Sequence, residues 1–340
     1  MRSFIITSIA APNGVMRSIA EKARQSGDLF YIVGDISSPA GFELDGCRFL
    51  GIDQQMRMGS KFAEACPTRH YARKNIGYLA AIRAGAEMIL ETDDDNLPEE
   101  SFFSVRQPEV DAHIVNRPGW INVYHLFSDQ DCRIWPRGLP LDQIGKRSDW
   151  DFEGLPQRKV FCPIQQHLAD SNPDVDAVYR LVGELPFRFV RERQVALAPG
   201  SWCPFNSQNT TWWPEAYSLL YLPSYCSFRM TDIWRSFVAA RIAHANGWHI
   251  LFASPTVRQE RNEHDLMRDF ADEIAGYLNN SRIRRILEDL PVESGQDKMG
   301  SNLRLCYEAL VAADLVGANE VDLLSLFLDE AEIRQSGRHE

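Results

Sequence analysis

The sequence predicts an α/β protein built around a doubly wound parallel sheet, and three observations carry that prediction. Short apolar runs alternate with helical patterns through the first hundred residues. Acidic residues fall where two of those runs stop, at Asp35 and at Asp93-Asp94-Asp95, and ligands of such sheets bind beyond the carboxyl ends of the strands. From about residue 264 onward the pattern is helical throughout, which adds a helical subdomain to the sheet.

Taken in order, the first strand is the β-rich run Phe4 to Ile9, and a helix follows from Val15 to Gln25, closed by Gly27. Leu29 to Val33 is the second strand and ends in Gly34-Asp35. After an irregular Gly-containing stretch, a helix spans about Tyr71 to Ala84 with Gly85 as its stop, and Glu87 to Glu91 is the next strand. From about Asp111 to Pro223 the composition turns to Pro, Trp, Asn and Gln, which predicts mixed strands and long loops. A helix from Asp232 to Ala245, capped by Thr231 and stopped at Asn246-Gly247, precedes the strand Trp248 to Phe252. Two apolar stripes, one through Leu278, Ile283, Ile286, Leu287 and Leu290, the other through Leu323, Leu324, Phe327 and Leu328, mark the terminal helices. The expected organisation is a nucleotide half over 1–110, an acceptor half over 111–275, and a helical subdomain over 276–340.

The charge balance excludes one class of partner. With 36 Lys and Arg against 47 Asp and Glu and no long basic block, the electrostatic footprint of nucleic-acid binding is missing. The seven cysteines are scattered without a C-x-x-C pair, which argues against a disulfide framework or zinc ribbon and for a reducing, cytoplasmic setting. The opening apolar run is too short for a signal peptide, and no stretch reaches the roughly 18 apolar residues of a membrane span. Membrane contact, if any, is then expected to be peripheral. No Walker-type loop or G-x-S-x-G is present, so P-loop and serine-hydrolase readings have no anchor.

The sharpest chemical feature is Glu91-Thr92-Asp93-Asp94-Asp95-Asn96. Three adjacent carboxylates at the end of a buried strand repel one another unless a cation compensates, and hard oxygen donors suit Mg²⁺ or Mn²⁺. The competing reading is an acidic turn that caps the next helix. Arg73, Lys74 and Asn75 stand at a helix start, where free N–H groups and basic side chains suit a diphosphate; a solvated basic face is the alternative. Around Trp202 to Thr210 the amides of Asn206, Gln208 and Asn209 mix with aromatic rings, as a sugar site would, or as a buried turn would. Asp232 opens a helix, either as a dipole residue or as a general base facing a cleft. His264, near Arg258 and Arg261, is either a metal ligand or an ordinary surface histidine.

As a set, the Ile-Thr-Ser-Ile strand, Val33-Gly34-Asp35, Arg73 to Tyr78, Glu91 to Asn96, Pro204 to Asn209 and Asp232 to Ser236 resemble the STELLO-like glycosyltransferase family. They are similar, more distantly, to the reversibly glycosylated polypeptides, which are UDP-arabinopyranose mutases. The resemblance covers about residues 1 to 275 and leaves the terminal helices unmatched. It implies a GT-A fold, a Rossmann-like nucleotide-sugar half joined to an acceptor half. It further implies that Thr7 and Asp35 contact the nucleoside, Arg73, Lys74 and Asn75 the diphosphate, and Asp93, Asp94 and Asp95 the metal and donor. Asn206, Gln208, Asn209, Trp234 and Arg235 would bind substrate, Asp232 would be the base of an inverting enzyme, and His264 a late metal ligand.

The function expected on that basis is metal-dependent transfer of a sugar, from a UDP-linked nucleoside-diphosphate donor, to a hydroxyl acceptor on a glycan or lipid carrier, with Mn²⁺ or Mg²⁺ as cofactor. The alternatives are a nucleotide-sugar mutase and a non-catalytic scaffold that keeps the fold. Plant STELLO proteins are membrane-anchored, and this chain shows no such anchor, so their cell-wall role is not carried over. The terminal helices are left as core, oligomer interface or docking surface.

Overall fold

The computed structural model describes residues 1–128, 133–146, 152–260 and 265–332. In the first part of the chain β1 (Arg2–Thr7), α1 (Gly14–Ser26), β2 (Leu29–Val33), β3 (Arg48–Leu50), α2 (Ile52–Arg57), α3 (Lys61–Ala65), α4 (Lys74–Arg83), β4 (Met88–Thr92) and β5 (Asn96–Pro98) follow one another. The second part holds β6 (Glu109–Val115), β7 (Gly119–Trp120), α5 (Val123–Leu126), β8 (Gln157–Phe161), β9 (Ile164–Asp170), α6 (Ala177–Val182), β10 (Gln194–Leu197), β11 (Ser201–Trp202) and β12 (Asn209–Trp212). It closes with α7 (Thr231–Ala245), β13 (Ile250–Gln259), α8 (Leu266–Asp289), α9 (Met299–Ala312) and α10 (Glu320–Glu332).

The expected α/β class is what the chain adopts, and both halves share one sheet. Its order is β3-β2-β1-β4-β12-β9-β13-β10-β6-β8, with β5 paired to β13. The first four strands are parallel, as their apolar runs and crossover helices require. Beyond them the sheet is mixed: β12 runs antiparallel to both β4 and β9. That reversal brings Asn206–Gln208, just before β12, beside Asp93, just after β4.

Capping chemistry accounts for the readable boundaries. Asn13 accepts from the Met16 amide to start α1, and Gly27 ends it at φ 72°, a left-handed value that costs a residue without Cβ little. The helix predicted over 71–84 begins as a 3₁₀ turn at Tyr71–Arg73 and becomes α-helical at Lys74. Thr231 is the first residue of α7, whose cap is Met230, so the predicted Thr cap is displaced by one position.

Two layers of helix cover the sheet. α1 buries Met16 and Ile19 against Phe4, Ile6, Phe30 and Ile32 on one face. On the other, α4 and α7 pack in a cluster that also takes in Leu303, Leu310, Leu323, Leu324 and Phe327 from α9 and α10. Position 275 lies within α8, and the helices beyond it join that same core. Gly77 sets the depth of α4: a Cβ there would lie 2.7 Å from Ile5 Cγ2 and 2.8 Å from Val33 Cγ2. The helix therefore seats directly on the strands, and all nine residues from Lys74 to Ile82 are buried. No helix among the described residues is long and apolar enough to cross a membrane.

Candidate functional site

The carboxyl end of β4 meets the loop before β12 and the start of α7 around a cavity of about 270 Å³. Thr7, Asp93, Asp94, Asp95 and Gln259 line one side; Arg137, Asp174, Gln208, Phe228 and Asp232 line the other. The acidic run is fixed from behind. Lys74, fully buried, donates from Nζ to the Thr92 carbonyl at 2.7 Å, to Asp93 Oδ1 at 3.0 Å, to the Tyr71 hydroxyl at 2.7 Å and to the Ser207 carbonyl at 3.1 Å. Tyr71 in turn donates to Asp93 Oδ1 at 2.8 Å. Burial pushes the Asp93 carboxyl up, and Lys74 and Tyr71 only partly offset that rise. The Ser8 hydroxyl donates to Asp94 Oδ2, Asn13 Nδ2 donates to the Asp94 carbonyl at 2.7 Å, and Gln259 Nε2 donates to Asp95 Oδ2 at 3.1 Å.

The opposite wall is an ion-pair cluster. Arg137 donates from Nε and Nη2 to the two oxygens of Asp174 at 2.7 and 2.8 Å, and from Nη1 and Nη2 to those of Asp232 at 3.1 and 2.9 Å. Asp232 also accepts from the Ser207 and Ile233 amides. Burial alone would raise the Asp232 carboxyl, but the Arg137 guanidinium outweighs it and holds the pKa at about 2. The turn that carries Arg137 fits through Gly138, at φ 91°, where a Cβ would meet Ile233 Cγ2 at 2.5 Å. A bridge joins the walls: Tyr71 Oη lies 2.7 Å from Ser207 Oγ, which itself reaches Asp232 Oδ2 at 3.3 Å.

Asp35 stands in a second cavity, of about 480 Å³, with Ser38, Phe42, Phe49 and Asp53. It accepts from the Ile36 amide at 2.7 Å and the His70 amide at 3.1 Å. Ser38 ties this corner to the acidic one, since its hydroxyl accepts from the Asp35 amide and donates to the carbonyl of Ser8, the residue that holds Asp94.

Of the residues singled out in the sequence, Thr7, Asp93, Asp94, Asp95, Gln208 and Asp232 therefore share one cavity, and Asp35 lies next door. Several others are part of the frame, which corrects the expectation for them. Arg73 is fully buried, donating to Gln55 Oε1 at 2.9 Å and the Cys66 carbonyl at 2.7 Å, behind the Gly34 corner rather than toward a diphosphate. Lys74 is enclosed by four oxygens. Asn75 clips Leu222 through its backbone N–H and C=O at 2.9 and 2.8 Å. Asn209 donates within the sheet to the Leu168 carbonyl and Thr256, Trp234 donates to Asn280, and Arg235 pairs with Glu91. Asn206 sits one bond behind the cavity, holding Asp174 Oδ2 at 2.8 Å. His264 lies outside the described residues, as does Arg261.

Sequence reasoning missed Arg137, Asp174, Phe228 and Gln259. The first two are charged residues set among prolines, in Trp135-Pro136-Arg137-Gly138 and Asn172-Pro173-Asp174, and that placement was the available signal. Among the described residues no three His, Cys, Asp or Glu side chains gather as a metal-ligand set. Asp93 and Asp95 both line the cavity, and their carboxylates are hard oxygen donors of the kind that suit Mg²⁺ or Mn²⁺.

Comparison with known proteins agrees with the motif resemblance. The model of the STELLO glycosyltransferases matches residues 229–335. The probable glycosyltransferases STELLO2 and STELLO1 of Arabidopsis thaliana are 29% and 27% identical to this chain over 87% of its length. The chain is thus similar to the STELLO glycosyltransferases. The STELLO model takes in α8, α9 and α10, so the terminal helices, unmatched by the motifs, belong to the likeness as well. The chain spans 43% and 42% of the length of STELLO2 and STELLO1. Among solved structures, a mycobacterial protein aligns at a TM-score of 0.40 with 10% identity, over 82% of this chain and 74% of that one.

Proposed function

We propose that this chain is a glycosyltransferase domain that takes a nucleoside-diphosphate sugar, UDP-linked, and passes the sugar to a hydroxyl of a glycan or lipid-linked acceptor. The observation that carries the reading is the open acidic wall at the end of β4, hydrogen-bonded through Ser8 and Ser38 to the Asp35 corner. On this reading the nucleoside lies against Asp35 and Thr7. The Thr7 hydroxyl is buried without a hydrogen-bond partner among the described residues, which suits a polar ligand. Asp93 and Asp95 would hold a Mn²⁺ or Mg²⁺ ion. When bound, that ion supplies electrostatic stabilisation of the charge gathering on the departing diphosphate. Lys74 and Tyr71 keep Asp93 oriented.

One observation favours a second reading. Asp232, expected as the base of an inverting transfer, is held as a carboxylate by Arg137 at a pKa of about 2, a poor acceptor for a hydroxyl proton. A mutase needs no acceptor base, and product analysis separates the two, because a mutase returns nucleotide sugar whereas a transferase releases free nucleotide. Cytoplasmic placement is supported by the free thiols of Cys47, Cys66, Cys162, Cys203, Cys226 and Cys306.

Calorimetry of UDP, GDP, CDP and their sugars, with and without Mn²⁺, tests the donor reading. One nucleotide is expected to bind more tightly with the metal, and Asp95→Ala is expected to remove that gain. A UDP affinity in Mn²⁺ that Asp93→Ala and Asp95→Ala both leave unchanged would sink it.

A further inference from the structure

Phe228 is an exception among the aromatic side chains around the cavity. It remains 51% exposed at the cavity wall, although the chain on both sides of it is firmly anchored. The Ser227 hydroxyl donates to the Asp272 carbonyl, Arg229 donates to Glu273 Oε1 at 2.9 and 3.1 Å, and the Met230 amide donates to the Ser227 carbonyl at 2.8 Å. Its ring meets His70 edge-on with centroids 5.6 Å apart, leaving much of its surface open. A phenyl ring held out over a polar cavity by a rigid loop is costly in water and becomes favourable once an apolar surface covers it.

The other groups of this cavity are hydrogen-bonding groups with capacity to spare. Asp174 Oδ1 takes one bond, from Arg137 Nε, and a carboxylate oxygen accepts two. Gln259 Oε1 is buried with no partner among the described residues. Gln208 lines the same space. Asp232 differs: Arg137, Ser207 and Ile233 occupy both of its oxygens, so its part is to fix Arg137. An exposed ring on one side and spare acceptors at the edges suit a flat ligand with C–H faces and a rim of hydroxyls.

We propose that the sugar of the donor packs a C–H face on Phe228 and gives hydroxyl hydrogen bonds to Asp174 and Gln259, so that these three residues set sugar affinity and selectivity. The assignment rests on the nucleotide-sugar reading above and holds equally for a transferase and a mutase, since both bind the donor sugar.

The test is calorimetric titration of wild-type protein, Phe228→Ala, Phe228→Trp and Asp174→Asn, each with UDP and with whichever of a set of UDP-hexoses and UDP-pentoses the wild type binds best. Phe228→Ala and Asp174→Asn are expected to weaken the nucleotide sugar about tenfold while UDP affinity stays within about twofold, and Phe228→Trp to keep near wild-type binding. Equal losses for UDP and the nucleotide sugar would overturn the assignment, placing the ring against the nucleotide; so would unchanged binding of both. A wild type that binds neither ligand would instead bring down the donor reading on which the assignment stands. Melting temperatures of the Phe228 variants, expected to match the wild type, separate loss of the subsite from loss of the fold; Asp174→Asn, which takes a charge from Arg137 and is expected to melt lower, is read from the ratio of its UDP and nucleotide-sugar affinities.

Discussion

Glu91 and Asp93 leave the same stretch of chain two residues apart, and their surroundings differ completely. Glu91 is fully buried and saturated: Arg235 donates to its two oxygens at 2.8 and 3.0 Å, Trp212 Nε1 donates at 2.8 Å, and the Tyr78 hydroxyl donates as well. The guanidinium also lies over the Trp212 ring, 4.9 Å from its centroid. Asp93 has Oδ1 held by Lys74 and Tyr71, while its carboxylate faces the cavity. Completeness of the hydrogen-bond shell therefore separates frame from site in this molecule, whereas charge and residue type do not.

The strongest way to break that comparison is to exchange the outcomes. Arg235→Met leaves Glu91 as an uncompensated buried charge and is expected to cost about 3–5 kcal/mol, seen as a lowered denaturation midpoint. Asp95→Asn, a near-isosteric change in the cavity lining, is expected to lower the midpoint far less and to remove metal-dependent nucleotide affinity. If Arg235→Met folded normally yet lost the ligand, Arg235 would belong to the site after all.

A smaller effect is expected at Glu320, the first residue of α10. Its buried carboxylate accepts from the Ser224 amide at 2.9 Å, the Tyr225 amide at 2.6 Å and the Tyr221 hydroxyl, anchoring the loop that leads to Phe228. Glu320→Ala strands those donors and should cost about 2–3 kcal/mol, with weaker nucleotide-sugar binding alongside. Unaltered sugar affinity in a destabilised Glu320→Ala protein would show that the helices hold the fold without shaping the cavity.

How much of this was legible beforehand follows from the same distinction. β2 and α1 were readable because apolar runs closed by Gly27 leave few alternatives, and Asp93–Asp95 stood out because adjacent carboxylates at a strand end demand a partner. The basic start of α4 misled because helical periodicity assumes a wet face, and α4 has none: Gly77 lets it sit on Ile5 and Val33, which turns Arg73 and Lys74 inward. Arg137 and Asp174 lie 37 residues apart in stretches without periodicity, and only the sheet brings them together. The pairing of β12 with β4 could not be anticipated from local pattern, since strand order is set by contacts distant in sequence.

Asp176 offers a pH handle on the frame. It caps α6, accepting from the Tyr179 amide at 2.7 Å and Trp135 Nε1 at 2.8 Å, and burial pushes its carboxyl from 3.8 up to about 6 despite those bonds. A folded-state pKa above the unfolded value favours the folded protein at low pH. That contribution is complete below pH about 3.8 and is lost as the pH rises through about 6. Between pH 4 and 7 the wild type should therefore lose up to about 3 kcal/mol relative to Asp176→Asn. Taking the difference between the two proteins by denaturant titration cancels other groups such as His244, whose buried imidazole titrates near 4 and acts in the opposite sense. A flat difference across that range would mean that Asp176 is solvated.

The smallest effect is expected at Arg258, the residue before the cavity residue Gln259 on β13. Its guanidinium pairs with Glu260 at 2.8 Å, and the two side chains are 50% and 69% exposed. Water screens such a pair, and holding two long side chains together costs entropy, so Arg258→Ala should change stability by no more than about 0.5 kcal/mol. Nucleotide affinity should be equally unmoved, because Arg258 is absent from the cavity wall that its neighbour Gln259 helps to form. A loss of nucleotide affinity in Arg258→Ala, matched by a similar loss on raising salt in the wild type, would extend the site from Gln259 back along β13 to Arg258 and blur the boundary between the saturated frame and the cavity lining.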